Sequence, residues 1–235
     1  MQNTGSVNSK ERPILFNAEM VNAILSGRKT QTRRIVKCNF QDIGFNHDMG
    51  QEWPWSEDCE HAEDYWHPCP LGVVGDQLWV RETFALLGNE DGVCVDWQDN
   101  MVKGDEQAAA RIYKASCEQK HGDYGLYSIP DSAYWKPDTS NMKYEGSWRP
   151  SIHMPRWASR INLLITGVRV ERLNDISDSD AMAEGCAYGK GSGEIDLAVR
   201  PENHFPTLWA SIYGEESWQA NPWVWVIEFE RMEAK

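Results

Sequence analysis

Residues 161–173 (Ile161-Asn162-Leu163-Leu164-Ile165-Thr166-Gly167-Val168-Arg169-Val170-Glu171-Arg172-Leu173) form the longest clean strand signal in this chain, and that signal constrains the fold most. A second run of the same kind, 223–232, closes the sequence, and shorter ones are expected at 77–87 and 111–115. Between these strands lie long connections and only short helical patterns, never a regular strand-helix alternation. The pattern predicts an α+β or small-barrel architecture and argues against a doubly wound parallel sheet.

The helical segments carry their own start and stop signals. Asn17 is a good N-cap, Val21, Ile24 and Leu25 share one face, and Gly27 stands where a left-handed cap would end the helix, which predicts a helix over 18–26. Ser177-Asp178-Ser179-Asp180 opens a second short helix ending at Gly185, its acids in the first turn as the helix dipole prefers. Pro206 suits the first turn of a third, expected over 207–213. Residues 1–12 read as a polar tail and 13–235 as a single domain. That domain holds two loop-rich insertions, an acidic, aromatic and irregular one at about 38–70 and a second at about 88–149.

Composition excludes several classes. At 235 residues the chain can bury roughly 70–75% of its unfolded surface without disulfides or a metal. No run approaches the ~20 apolar residues of a membrane span. The polar N-terminus lacks the features of a secretion signal, so a cytoplasmic location is expected, with the six cysteines as reduced thiols. A net charge of -13 and a pI of about 4.9 disfavour duplex DNA as a partner and leave a small substrate or a single strand on a local basic groove.

The basic groove has one candidate. Residues 28–37 hold five cations, and within them a lysine, a threonine and arginines follow directly on a helix end. Such a segment offers a base, a nucleophilic hydroxyl and anion-binding groups within a few ångströms, although a solvated basic strand has the same composition.

Gly27-Arg28-Lys29-Thr30-Gln31-Thr32-Arg33-Arg34 resembles the signature of the ASCH family, Gly-x-Lys-x-x-(Glu or Thr)-x-Arg, with Gly27, Lys29, Thr32 and Arg34 in register. The resemblance extends over residues 13–37, roughly 71–87 and 150–235. It includes Gly75-Asp76-Gln77-Leu78-Trp79-Val80-Arg81-Glu82-Thr83, the segment from Trp148 to Trp157 and the closing Trp225-Val226-Ile227-Glu228-Phe229. The whole is similar to longer ASCH proteins carried by prophages and phages. It implies a PUA-like β-barrel with flanking short helices. The Thr version of the motif resembles small bacterial amidohydrolases that convert N4-acetylcytidine to cytidine and acetate with a Lys, a Thr and a later Glu. Leu173-Asn174-Asp175-Ile176-Ser177 followed by Ala181 and Glu184 matches the layout that carries that Glu. The resemblance therefore implies Lys29, Thr32 and Glu184 as the catalytic set, no cofactor, and a modified nucleoside or single-stranded RNA as partner.

Read physically, Lys29 would take the proton of Thr32, Thr32 would attack an amide carbonyl, and Glu184 would orient the lysine or return the proton. Arg34 or a backbone N–H would hold the oxyanion, and Arg33 is a further candidate to bind the substrate. In a regular strand Lys29 and Thr32 point to opposite faces, so the segment must turn between them. Trp148, Arg149, Arg156 and Trp157 have the composition to stack a base and grip a phosphate, or equally to plug a core while the arginines pair with acids. Glu82 is an alternative acid. Cys59, His61, His67 and Cys69 are ligand types for zinc at spacings shorter than usual, and no metal is expected there. The competing function is a non-catalytic binder of RNA or a modified base.

Overall fold

The computed structural model describes residues 9–58, 63–88, 93–98, 100–116, 148–186 and 201–233. It is a mixed α+β protein. Ten strands are described: β1 (Glu11–Leu15), β2 (Gln31–Ile35), β3 (Asp42–Asn46), β4 (Gln51–Asp58), β5 (Glu63–Trp66), β6 (Gln77–Arg81), β7 (Phe84–Leu86), β8 (Arg111–Tyr113), β9 (Asn162–Arg172) and β10 (Trp223–Arg231). Four α-helices accompany them, α1 (Ala18–Leu25), α2 (Asp178–Ala183), α3 (Pro201–Tyr213) and α4 (Glu215–Gln219). No helix among the described residues is long and apolar enough to cross a membrane.

The strands form three sheets, of five strands in the order β1-β6-β9-β10-β2, of three in the order β3-β4-β5, and of two, β7-β8. In the largest, β1 and β2 are the two edges, so none of the sheets closes into the expected barrel among the described residues. The chain divides into two compact units. One comprises residues up to Arg12 with Ser26–Leu78 and Leu163–Glu233, the other Pro13–Leu25 with Trp79–Asn162.

In the first unit β10 runs antiparallel to both β9 and β2. Val224, Trp225, Val226 and Ile227 are all buried, the mark of a strand covered on both faces. Over one face Ala181 of α2 and Phe205 and Trp209 of α3, with Leu173 from the turn after β9, pack against Val224 and Val226. Burying side chains of this size stabilises by about 1.5–3 kcal/mol each, which is what holds such short helices in place.

The acidic segment 38–70 departs from expectation. It contains no irregular loop over most of its length but the antiparallel sheet β3-β4-β5, in register at Gly44↔Trp53 and Trp55↔Trp66. Trp53 is buried, its ring edge-on to Trp225 at 4.9 Å, and its Nε1 donates to the His67 carbonyl at 2.7 Å. The aromatic positions of β4 and β5 thus supply a core contact that the surrounding acids and Pro54 obscured, since proline is ordinarily confined to edge strands and β4 is central.

Other boundaries differ for local reasons. The strand expected over 77–87 is broken into β6 and β7 at Glu82 and Thr83, where Glu82 is buried against Arg160. The strand at 111 ends at Tyr113 and passes into a 3₁₀ turn. α3 starts at Pro201, so Pro206 lies inside the helix and not in its first turn. Most of the second expected insertion, 117–147, lies outside the described residues, as does most of the N-terminal tail.

Candidate active site

Two chain segments meet to form the site. The first is the approach to β2. Asn17 caps α1 by accepting from the Met20 amide at 2.8 Å, and the helix ends before Gly27, whose φ of 74° takes the left-handed turn expected of it. The chain then straightens, with Lys29 on an isolated antiparallel bridge to Glu184 and Thr30 donating to the Ala183 carbonyl at 2.8 Å.

The second segment is the end of α2. Ser177 and Asp180 form a reciprocal capping box at its start. At its end the Gly185 amide donates to Met182 and the Cys186 amide to Ala181, the paired bonds of a Schellman turn, with Gly185 at φ 100°. That turn fixes Glu184 as the C-cap residue.

The two segments are joined by ion pairs. Lys29 Nζ donates to Glu184 Oε2 at 2.6 Å and to the Glu184 carbonyl at 2.9 Å, a position that also sets a cation at the negative end of α2. Arg33 Nη1 donates to the other carboxylate oxygen, Oε1, at 3.2 Å. Lys29, Arg33 and Glu184 are 2%, 1% and 3% exposed, so the pairs are out of water. Burial pushes the Lys29 amine below its ordinary range, the Glu184 carboxylate pulls it back up, and the nearby Arg34 charge lowers it further. Cys186, just beyond the helix, is pushed up to about 11 by burial and then by Glu184.

Around this pair stands a wider set that the sequence reading did not single out. Arg33 Nη2 also binds Glu171 and lies 3.6 Å from Asp180 Oδ2, while its guanidinium covers the Phe205 ring at 5.7 Å. Arg169 joins Glu171 at 3.1 Å, Asp180 at 2.9 Å and Glu228. The available signal was period two, because Arg169 and Glu171 share a face of β9 and Glu228 stands on the neighbouring strand opposite Gly167.

Thr32 is wholly buried and its Oγ1 accepts from Arg34 Nη1 at 2.5 Å. Within β2 the alternation sets Gln31 and Arg33 on one face and Thr32 and Arg34 on the other. The strand begins only at Gln31, so Lys29 precedes it on its own bridge, and Arg34 is the charge felt by both Lys29 and Thr32. A guanidinium donating to a hydroxyl oxygen stabilises the alkoxide form and leaves the hydroxyl proton free to be taken by a base.

The remaining candidates belong to the second unit and are tied to neighbours there. Arg149 makes a two-pronged pair with Glu106 at 2.9 and 2.6 Å and lies over Phe84. Arg156 donates to Asn162 at 2.9 Å and covers Trp79, and Trp157 carries the Arg111 guanidinium at 5.3 Å. Trp148 is half-buried. Glu82, the alternative acid, is 2% exposed and gripped by Arg160 at 2.8 and 3.0 Å. No group of metal-ligating side chains occurs among the described residues. Cys59 and His61 lie outside them, His67 Nε2 is hydrogen-bonded with Ser56 Oγ at 2.9 Å, and burial raises the Cys69 thiol away from thiolate character.

No protein-family model, no curated protein and no solved structure matches this chain.

Proposed function

We propose that the chain is a PUA-like ASCH amidohydrolase that removes the acyl group from an N4-acylated cytosine nucleoside through Lys29, Thr32 and Glu184. The observation that carries this reading is the buried Lys29–Glu184 pair: two residues 155 positions apart, one picked out by the motif and the other by the layout after β9, share a 2.6 Å hydrogen bond. A chain that needed these residues only for solubility would leave them in water.

The chemistry is acyl transfer in two steps. Glu184 accepts a proton from the Lys29 ammonium, and the neutral amine takes the proton of the Thr32 hydroxyl. Arg34, donating to Thr32 Oγ1, stabilises the alkoxide; as Oγ1 bonds to the acyl carbon the C=O electron pair moves to the carbonyl oxygen, and Arg34 shifts to that oxyanion. The C–N bond breaks as Lys29 returns its proton to the N4 nitrogen, releasing cytidine and leaving an ester on Thr32. Water loses a proton to Lys29 and attacks the ester; Lys29 passes that proton to the departing Thr32 oxygen, the acetic acid ionises in water, and Glu184 returns its proton to Lys29. No metal takes part in this scheme.

The test is incubation of the purified protein with a panel of N4-acylated cytosines, cytidines and RNA, read by chromatography, with mass spectrometry for an acyl group on Thr32. Release of the unmodified base supports the reading. Binding of single-stranded RNA with no release from any member of the panel would assign the chain to the competing class of non-catalytic readers.

A further inference from the structure

Arg33 falls on an unspecified position of the Gly-x-Lys-x-x-Thr-x-Arg pattern, yet it is among the most deeply buried charges of the molecule. Its two terminal nitrogens go to different carboxylates, Nη1 to Glu184 Oε1 at 3.2 Å and Nη2 to Glu171, while its Nε has no partner among the described residues. Glu184 is therefore divided: one oxygen serves Arg33, the other serves Lys29. A carboxylate that already neutralises one cation attracts a second less strongly, because each added charge lowers the return on the next.

We infer that Arg33 is a positioning residue: by holding Oε1 of Glu184 it turns Oε2 to Lys29 and loosens the carboxylate's grip on the Lys29 proton. Glu171 is the counterweight, since it draws Arg33 partly away from Glu184. The charged groups on the Glu184 carboxylate are Lys29 and Arg33, from the approach to β2 and from β2; behind them Arg34 acts on Lys29, and Glu171 of β9 and Asp180 of α2 pair with Arg33. Cys186 follows it in the chain, and His204 stands on the packed helix α3, its Nε2 without a partner among the described residues. The effect on turnover rests on the amidohydrolase reading. The effect on Lys29 does not.

The experiment is therefore a titration of the Lys29 ε-carbon by NMR in the full chain, together with a pH–rate profile on N4-acetylcytidine. In Arg33→Met the Lys29 titration should move to higher pH by about one unit, the low end for losing a charge at contact distance. Arg33→Lys, which keeps the charge, should restore most of it, and the rising limb of kcat should follow the same order. Glu171→Gln gives the opposite sign, because Arg33 is then freer to bind Glu184, and it serves as the second variant where Arg33→Met does not fold. If Lys29 titrates at the parent pH in folded Arg33→Met, or in Glu171→Gln, the assignment is overturned. A shifted titration in a protein that hydrolyses no acylated cytosine would uphold the role of Arg33 and dismiss the amidohydrolase.

Discussion

Lys29 donates to Glu184 twice, through the carboxylate at 2.6 Å and through the backbone carbonyl at 2.9 Å, so a single side chain fastens the approach to β2 onto the end of α2. Because the carboxylate also answers Arg33, the site is a buried ionic network and not an isolated pair. Such networks are costly to break from one side: the partner left behind is a charge without water.

Glu184→Gln is accordingly expected to destabilise the fold by about 3–5 kcal/mol, leaving both Lys29 and Arg33 short of a counter-charge. For a chain of this size that corresponds to a fall of roughly 6–20 °C in Tm, read by circular dichroism. An unchanged Tm would mean that water reaches the pair.

The pH dependence of turnover has a defined sign. Lys29 acts as a base only when neutral, and burial first, then Arg34, holds its amine below the ordinary lysine range against the pull of Glu184. Activity should rise with pH and level off at a pH below the ordinary lysine value of about 10.4. In Arg34→Gln, which removes a lowering charge, the rise should move to higher pH. A rate that nowhere rises between acid and alkaline pH, or that first rises only above the ordinary lysine value, would exclude Lys29 as the base.

Trp53 ties the acidic segment to the core of its unit through Trp225. Trp53→Ala should cost about 3–5 kcal/mol, as large aromatic truncations in cores do. Deleting 57–64, which removes the end of β4 and the start of β5, should likewise lower stability. If the deletion left the melting curve intact, the segment would be the detachable acidic loop that its composition suggested.

Asp76 provides an acid-side test. The Lys10 backbone amide donates to it at 2.9 Å, Arg12 pairs with it at 2.7 Å, and these bonds hold its carboxyl below the usual range although burial opposes them. A carboxylate with a depressed folded pKa stabilises above its unfolded value, and that contribution is lost as pH falls through the folded value. The parent should lose stability below about pH 4, and Asp76→Asn should be less stable at neutral pH with a flatter decline. Parallel curves for the two proteins would show that Asp76 does not titrate with unfolding.

Much of the fold was legible because its signals are local. Asn17 and Ser177 cap helices where their side chains predicted, Gly27 takes the left-handed turn that its missing side chain allows, and the strand signal in residues 161–173 matches β9. The motif named Lys29 and the layout after β9 named Glu184; their pairing comes from the isolated bridge that joins the approach to β2 to the C-cap of α2. In the sequence Arg33 reads as one more cation for a substrate, because its partners Glu171, Asp180 and Glu184 stand far along the chain, on β9 and on α2, and only the folded arrangement brings them to it. Segment 38–70 was obscured for a related reason: in β4 the residues that make the core contact sit among Asp, Glu and Pro, all poor strand formers, and tertiary packing overrides that preference. The β10 register, with Glu228 brought beside Arg169, is equally a product of pairing and not of any local pattern.

The central claim, that Lys29 and Thr32 perform acyl transfer, is tested most directly by turnover of N4-acetylcytidine in the parent protein and in Thr32→Ala and Lys29→Ala, each checked for folding by circular dichroism. The account predicts that the parent releases cytidine and acetate and that each variant, while folded, is slower by at least ~10²-fold, the low end for losing general acid–base help. Cytidine release at the parental rate in folded Thr32→Ala, or no release by the parent from any N4-acylated cytosine, would contradict it.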